Sequence, residues 1–358
     1  MERAIELARA VRGRTSVNPP VGAVVLRDGQ IIGEGATHRP GGPHAEVIAL
    51  EAAGHLARGS TLVVTLEPCN HSGRTPPCTE AIHRAGISRV VIGVRDTNPR
   101  VTGGGIAALK QLGVIPEVGL CAHASAELVA PSLHLVMSGR PFVTAKWAMT
   151  LDGKIAGSCG SERITSDASQ QEAHDLRNQV DAVVVGAETA RLDDPQLTVR
   201  PPPIDGRQPL RVVIDSSASL AGNARLLHGD GDAVVLTASA SPAARARLER
   251  VGANVIQAPR QSDGRVDLLA ALGLLGERGL AHVLVEGGAR LLGSLFAADL
   301  VDEVIVFIAP RVMGPGVPAL DLTGFARLVP TWDLQGPSIH RFGPDIMVRG
   351  RRAPLVIG

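Results

Sequence analysis

Apolar positions along this chain fall into two alternating rhythms, helical spacing and short continuous runs, from which the elements can be read in turn. Ile5, Ala8 and Val11 share one face of a short amphipathic helix over residues 2–12. Apolar residues at 21–26 and at 31–32 flank Arg27-Asp28-Gly29, and Asp-Gly between two such runs predicts a hairpin. The spacing next predicts a helix over 44–53, stopped by Gly54, with His44 and Glu46 in its first turn. Residues 61–66 read as a buried strand, 79–85 as a helix beginning directly after Cys78, and 89–94 as the next strand. Helices over 104–112 and about 122–136 complete this half, and the alternation predicts a three-layer α/β domain.

Turn formers at Ser138-Gly139-Arg140-Pro141 interrupt the pattern, so domains of 1–140 and 141–358 are expected. The second series begins with a strand at 142–148 and a helix around 167–179. Strands at 182–185, 210–214 and 233–236, helices at 243–251 and 268–277, and strands at 283–286 and 304–308 continue it. Pro201-Pro202-Pro203 reads as a stiff surface loop, since strands of the same series follow it. No internal repeat or low-complexity tract interrupts either half.

A length of 358 residues suits two cores. Charge narrows the partners: 36 basic against 35 acidic residues leave +1, no footprint for nucleic acid or an anionic membrane. With 2% aromatic residues and no Tyr, base-stacking platforms are nearly absent, and Trp147 and Trp332 read as packing residues. No apolar run approaches the roughly 20 residues of a membrane span, and the first residues lack a signal peptide's pattern, so a cytoplasmic protein acting on small molecules is expected. The four cysteines form no disulfide framework, and Cys121 and Cys159 lie far apart.

The candidate chemistry begins at His44-Ala45-Glu46, read with Glu67-Pro68-Cys69 and Cys78. One imidazole and two thiolates make a zinc site with its fourth position open to water, and Glu46 is then a free carboxylate able to shuttle protons. This is the order of the zinc nucleobase deaminases, H-x-E followed by a P-C thiolate pair. Two plainer readings stand beside it: cysteines that are merely small buried residues, and a closed structural zinc with His71 as fourth ligand. The thiols here are separated by the eight residues Asn-His-Ser-Gly-Arg-Thr-Pro-Pro, so the insert must loop out before Cys78 returns. In the second half, Val285-Glu286-Gly287-Gly288 followed by Ala289-Arg290-Leu291-Leu292-Gly293-Ser294 reads as a strand, paired glycines and a helix. That arrangement offers backbone amides to a phosphate, although Gly-Gly alone is a weak signal.

The run from Glu67 to Cys78 resembles, nearly letter for letter, the deaminase half of the bifunctional riboflavin-biosynthesis deaminase/reductases. The resemblance continues through Lys146-Trp-Ala-Met-Thr-Leu-Asp-Gly-Lys154, Thr189 to Arg200, Val212 to Ser216 and the Glu286 stretch. It implies an N-terminal cytidine-deaminase-like α/β/α sandwich and a C-terminal dihydrofolate-reductase-like α/β domain, with Zn2+ and NADPH as cofactors. It also implies hydrolysis of the 2-amino group of 2,5-diamino-6-(5-phosphoribosylamino)pyrimidin-4-one, then reduction of the ribosyl chain to ribityl.

Carried across by position, His44, Cys69 and Cys78 would hold zinc, Glu46 would be catalytic, and the Asn18 amide would read the pyrimidine edge. Met149, Arg163, Thr189, Asp193, Ser216 and residues Gly288, Ala289, Arg290, Leu291, Leu292, Gly293 and Ser294 would line the NADPH site. Lys146, Ser161, Arg177, Leu197, Arg200 and Glu286 would face substrate, the two arginines forming a fork for the ribose 5-phosphate. Lys146, Asp193 and Glu286 are the ionisable groups available to the sugar chemistry. The chain departs from the family at Val17, commonly Pro, and at Arg163, commonly Trp; an arginine there could stack on a ring or meet the cofactor's extra phosphate. Two other readings are a nucleoside or tRNA deaminase with a non-catalytic C-terminal binding module, and a structural zinc beside a phosphate-binding or dimerisation module. A homo-oligomer with a phosphoribosylaminopyrimidine substrate, and neither nucleic-acid nor membrane partners, is expected.

Overall fold

Two sheets organise the chain, which divides into compact units of Met1–Gly139 with Leu355, and Arg140–Pro354. The computed structural model describes residues 1–71, 76–98, 104–157, 163–323 and 332–355. No helix among the described residues is long and apolar enough to cross a membrane.

In the first unit the strands are β1 (Gly22–Arg27), β2 (Gln30–Ala36), β3 (Thr61–Leu66), β4 (Arg89–Val94) and β5 (Ile115–Val118), in the order β2-β1-β3-β4-β5. The hairpin β1–β2 turns on Asp28 and Gly29, whose φ values of 51° and 77° are the two positive angles of a type I′ turn. β3, β4 and β5 run parallel, and the apolar runs of β3 and β4 are buried on both faces because helices cover both. Those helices are α1 (Glu2–Ala10), α2 (Ala45–Ala53), α3 (Cys78–Arg84), α4 (Gly104–Gln111) and α5 (Ala122–Ser138).

Register explains the layering. Gly22 pairs with Ala36 while Ala23 pairs with Gly35, so Gly22 and Gly35 face opposite sides of the sheet. A Cβ on Gly22 would lie 1.9 Å from the Ala4 carbonyl oxygen, and one on Gly35 would lie 2.3 Å from that of Ala45. The backbones of α1 and α2 therefore press on opposite faces, giving three layers.

The second unit's main sheet has the order β11-β10-β9-β8-β12-β6-β13-β16-β15. Its strands are β6 (Phe142–Thr150), β8 (Ala182–Gly186), β9 (Leu210–Ile214), β10 (Ala233–Thr237), β11 (Asn254–Gln257), β12 (His282–Glu286), β13 (Glu303–Ala309), β15 (Gln335–Phe342) and β16 (Asp345–Arg351), with β7 (Lys154–Gly157) and β14 (Gly316–Pro318) pairing separately. From β11 to β13 the neighbours are parallel, whereas β16 and β15 close one edge antiparallel. The helices are α6 (Asp167–Asn178), α7 (Ala187–Leu192), α8 (Pro242–Arg250), α9 (Leu268–Gly276) and α10 (Ala289–Ala297). Trp147 and Trp332 both set their rings edge-on to Phe296, as packing residues do.

Several elements lie beyond the sequence pattern. β5, β7, β11 and β14 are too short to show a period, α7 is a six-residue helix, and β15 is an exposed edge strand containing Gly and Pro. α1 also stops at Ala10, short of the expected Arg12.

Candidate active sites

The first site is assembled by the packing just described. Ala45, Ala49 and Ala53 form the buried face of α2, which seats its start on Gly35 of β2. His44 is the N-cap of that helix, with extended backbone, and so lies just before the first turn in which it was expected. Glu46 follows in the first turn and is buried.

Cys69 arrives from the end of β3. The step before it is tied down by Glu67, whose buried carboxylate accepts from the amides of Asp96 (3.2 Å) and Ile106 (3.0 Å), joining three segments. Cys78 is the first residue of α3, and its amide points at the Cys69 sulfur, 3.4 Å away. The Cys69 thiol is pulled down to about 4, chiefly by its hydrogen bond with Cys78 and against the effect of burial; His44 and the Cys78 amide add to this.

The three ligand atoms, His44 Nδ1 and the two sulfurs, lie within 4.8 Å of one another. His44 Nδ1 is 3.3 Å from Cys78 Sγ and 3.5 Å from Cys69 Sγ. Tetrahedral zinc with ordinary Zn–N and Zn–S bonds separates such atoms by about 3.6 Å, so the donor set and its spacing fit the ion. Among the described residues no fourth His, Cys, Asp or Glu joins the cluster, and His71, the candidate fourth ligand of a closed site, instead lines the neighbouring cavity. The Glu46 carboxyl stands beside Cys78, and burial, seconded by the Cys69 charge, pushes it up to about 6.

These groups open on a cavity of about 570 Å³ whose walls include Asn18, His44, Glu46, Cys69 and His71. Asp96 and Asn98 line it too, and the sequence reading did not single them out. Their signal was position: both follow β4, the parallel neighbour of β3, at the carboxyl end where such sheets gather ligand groups. Asp96 is held above the usual carboxylate range, first by burial and then by the nearby Glu67 charge.

The second unit brings together the residues expected of substrate recognition only in part. Lys146 and Glu286 are register partners on β6 and β12. Arg177, from α6, grips Glu286 through Nε–Oε1 (2.6 Å) and Nη2–Oε2 (2.8 Å) and gives Nη1 to the Thr198 carbonyl (2.9 Å). Burial raises the Glu286 carboxyl, but Arg177 and then Lys146 overcome it and hold the group at about 2. Burial lowers the Lys146 ammonium, which lies 5.6 Å from the centre of the Phe307 ring.

The expected phosphate fork takes a different form here: the forked edge of Arg177 is occupied by a carboxylate, and exposed Arg200 gives Nη1 to Gln196 Oε1 (2.8 Å). Leu197 is buried with φ +57°, and Ser161 lies outside the described residues.

A cavity of about 430 Å³ lies at the carboxyl ends of β8, β9 and β12. It gathers Thr189, Ser216, Gly288, Arg290, Leu291 and Ser294 from the expected cofactor set. Gly287 and Gly288 have φ of +77° and +78°, and a Cβ on Gly288 would lie 2.7 Å from Thr189 Oγ1, so only glycine fits this turn before α10. A glycine turn, a nine-residue helix and its free first-turn amides suit a dinucleotide's diphosphate.

Met149, Asp193, Ala289, Leu292 and Gly293 are not among the lining residues: Leu292 is a core side chain, and Gly293 backs onto the Asp321 carbonyl. Arg163 is likewise elsewhere, exposed and paired with Asp167.

Residues 1–94 match the model of the cytidine and deoxycytidylate deaminase zinc-binding region, and residues 141–348 match that of the RibD C-terminal domain. The chain is 39% identical to riboflavin biosynthesis protein RibD of Aquifex aeolicus, over 98% of this chain and 97% of that one. It is 40% identical to RibD of Bacillus amyloliquefaciens, over 97% and 94%. A crystal structure of a diaminohydroxyphosphoribosylaminopyrimidine deaminase/5-amino-6-(5-phosphoribosylamino)uracil reductase from Thermotoga maritima superposes with a TM-score of 0.84 at 37% identity, covering 98% of this chain and 97% of that one.

Proposed function

Because this chain belongs to the RibD family of bifunctional riboflavin-biosynthesis deaminase/reductases, we propose that its first site deaminates 2,5-diamino-6-(5-phosphoribosylamino)pyrimidin-4-one and its second reduces the product's ribosyl chain. The observation that carries the reading is the convergence of His44 Nδ1, Cys69 Sγ and Cys78 Sγ within 4.8 Å, beside the buried acid of Glu46.

His44, Cys69 and Cys78 hold the zinc. When bound, zinc supplies the Lewis acidity that brings the ionisation of water toward neutral pH. Glu46 takes the proton of the attacking water and returns it to the departing amine, so that a C–N bond is exchanged for C–O and ammonia leaves. Asn18, on the cavity wall, offers a donor and an acceptor together to the pyrimidine edge. Asp96 and Asn98 add acceptors to that wall.

In the second unit the turn at Gly287-Gly288 and the start of α10 seat the diphosphate of NADPH, which when bound supplies the hydride. Glu286, kept ionised by Arg177, stands at the strand position adjoining Lys146, where its charge favours the ammonium form. Lys146, made more acidic by burial, delivers the proton that the opening sugar oxygen requires. A cytoplasmic homo-oligomer is part of the same proposal.

Purified chain given the diaminopyrimidine phosphate alone should release ammonia, and NADPH oxidation should follow only after that release. Oxidation of NADPH without ammonia release, or no turnover of either kind, would refute the reading.

A further inference from the structure

One wall of the second cavity is made by residues that the foregoing roles leave unused: Ser217 and Arg265, beside Ser216 at the carboxyl end of β9. The following assignment rests on reading that cavity as the NADPH site. With the diphosphate on the turn before α10 and the reducible ring toward Lys146 and Glu286, the strand order β9-β8-β12-β6 leaves the adenosine one course. It crosses β8 to the end of β9.

The groups at such a strand end separate the two nicotinamide cofactors. A carboxylate accepting from the ribose hydroxyls suits NADH, whereas a cation suits the additional 2′-phosphate of NADPH. Of the two carboxylates on this wall, Asp263 is paired with Arg265, and Asp215 is 1% exposed and turned inward: Oδ2 accepts from the Leu220 amide (2.7 Å) and Oδ1 from Ser219 Oγ (3.1 Å). Asp215, buried and already accepting two hydrogen bonds, is poorly placed to accept from a ribose hydroxyl.

Arg265 is held next to this point because the amide of Val266 donates to Ser216 Oγ at 3.1 Å. That bond uses a lone pair of the Ser216 hydroxyl and leaves its proton available to a phosphate oxygen. The Arg265 side chain is half exposed: it meets Asp263 through a long Nε–Oδ2 contact of 3.4 Å and also feels the charge of Asp321, while its two terminal nitrogens make no hydrogen bond among the described residues. The other guanidinium groups on the cavity belong elsewhere. Arg290 lies in the first turn of α10 between Glu188 (3.8 Å) and Asp321 (3.9 Å), beside the diphosphate, and Arg191 belongs to α7, after β8.

We infer that Arg265, with the hydroxyls of Ser216 and Ser217, recognises the 2′-phosphate and thereby sets the preference for NADPH over NADH. A flexible, exposed cation is free to swing onto a phosphate, and a guanidinium meets it with two parallel donors.

The test is calorimetric binding of NADP+ and of NAD+ to the full chain, unaltered and with Arg265→Ala or Arg265→Lys. The unaltered chain should bind NADP+ more tightly than NAD+. Arg265→Ala should weaken NADP+ by about 10- to 100-fold, the range of one or two charge-assisted hydrogen bonds, while NAD+ affinity stays within about twofold. Arg265→Lys should recover part of the loss. If the unaltered chain binds both cofactors equally, or if Arg265→Ala weakens both in parallel, the assignment of Arg265 fails and the dinucleotide site stands. If the unaltered chain binds neither, both fail together.

Discussion

Arg177 and Glu286, 109 residues apart in sequence, meet side by side as guanidinium and carboxylate through two hydrogen bonds of 2.6 and 2.8 Å. Both side chains are largely withdrawn from solvent, at 13% and 12% exposure, so the pair is only weakly screened. With Glu286 held at about 2 against an ordinary 4.5, its ionised form stabilises the folded unit. The sign is that of a depressed acid: the stabilisation is complete above about 4.5 and drains away as pH falls toward 2. Glu286→Gln should therefore lower unfolding free energy by about 3 kcal/mol at pH 7 and by about 1 kcal/mol at pH 3. Denaturant titrations at the two pH values check this, and an equal deficit at both would contradict it.

Glu46→Gln should leave zinc in place, because Glu46 stands outside the ligand cluster, and should cut ammonia release by about 10²- to 10⁴-fold, the usual worth of a positioned proton carrier. Metal analysis and ammonia assay on the same preparation separate the two effects. Undiminished turnover would remove Glu46 from the chemistry.

Gly35→Ala should damage the first site from a distance. Its methyl group would fall 2.3 Å from the Ala45 carbonyl oxygen, at the start of the helix that carries His44 and Glu46. A loss of about 1 to 3 kcal/mol is expected, with weaker zinc retention. Gly273→Ala, inside α9 with open space around it, is the control and should be neutral or stabilising by up to about 1 kcal/mol. Thermal unfolding and zinc content of the two variants provide the comparison.

Lys146→Met keeps an unbranched side chain one heavy atom shorter and removes its titratable proton. Hydride transfer to the deaminated substrate should fall by about 10²- to 10⁴-fold while NADP+ affinity changes little, since Lys146 is not on the cofactor cavity wall. Stopped-flow NADPH oxidation and a binding titration measure the two quantities separately, and a loss confined to binding would contradict the role given to Lys146.

Much of this molecule is legible in the chain itself, for a physical reason in each case. β3 and β4 lie between layers of helices, so their apolar runs are continuous, and Asp28-Gly29 adopts the two positive φ angles its turn requires. The zinc triad is legible because His44, Cys69 and Cys78 are chemically unusual and in a recognisable order.

What escaped is what depends on neighbours distant in sequence. Nothing local marks Arg177 as the partner of Glu286, or Glu67 as the clamp joining Asp96 and Ile106. Asp96 and Asn98 reach the cavity only because β4 lies beside β3. The strand β15 is exposed along most of its length, so selection for burial leaves no alternation to read.

X-ray absorption at the zinc edge of the purified chain counts the metal's ligands. One nitrogen at about 2.0 to 2.1 Å, two sulfurs at about 2.3 Å and a single non-protein neighbour are expected, with the sulfur count falling to one in Cys78→Ser. A site completed by a second histidine, or a chain that retains no zinc, would contradict the hydrolytic role given to His44, Glu46, Cys69 and Cys78.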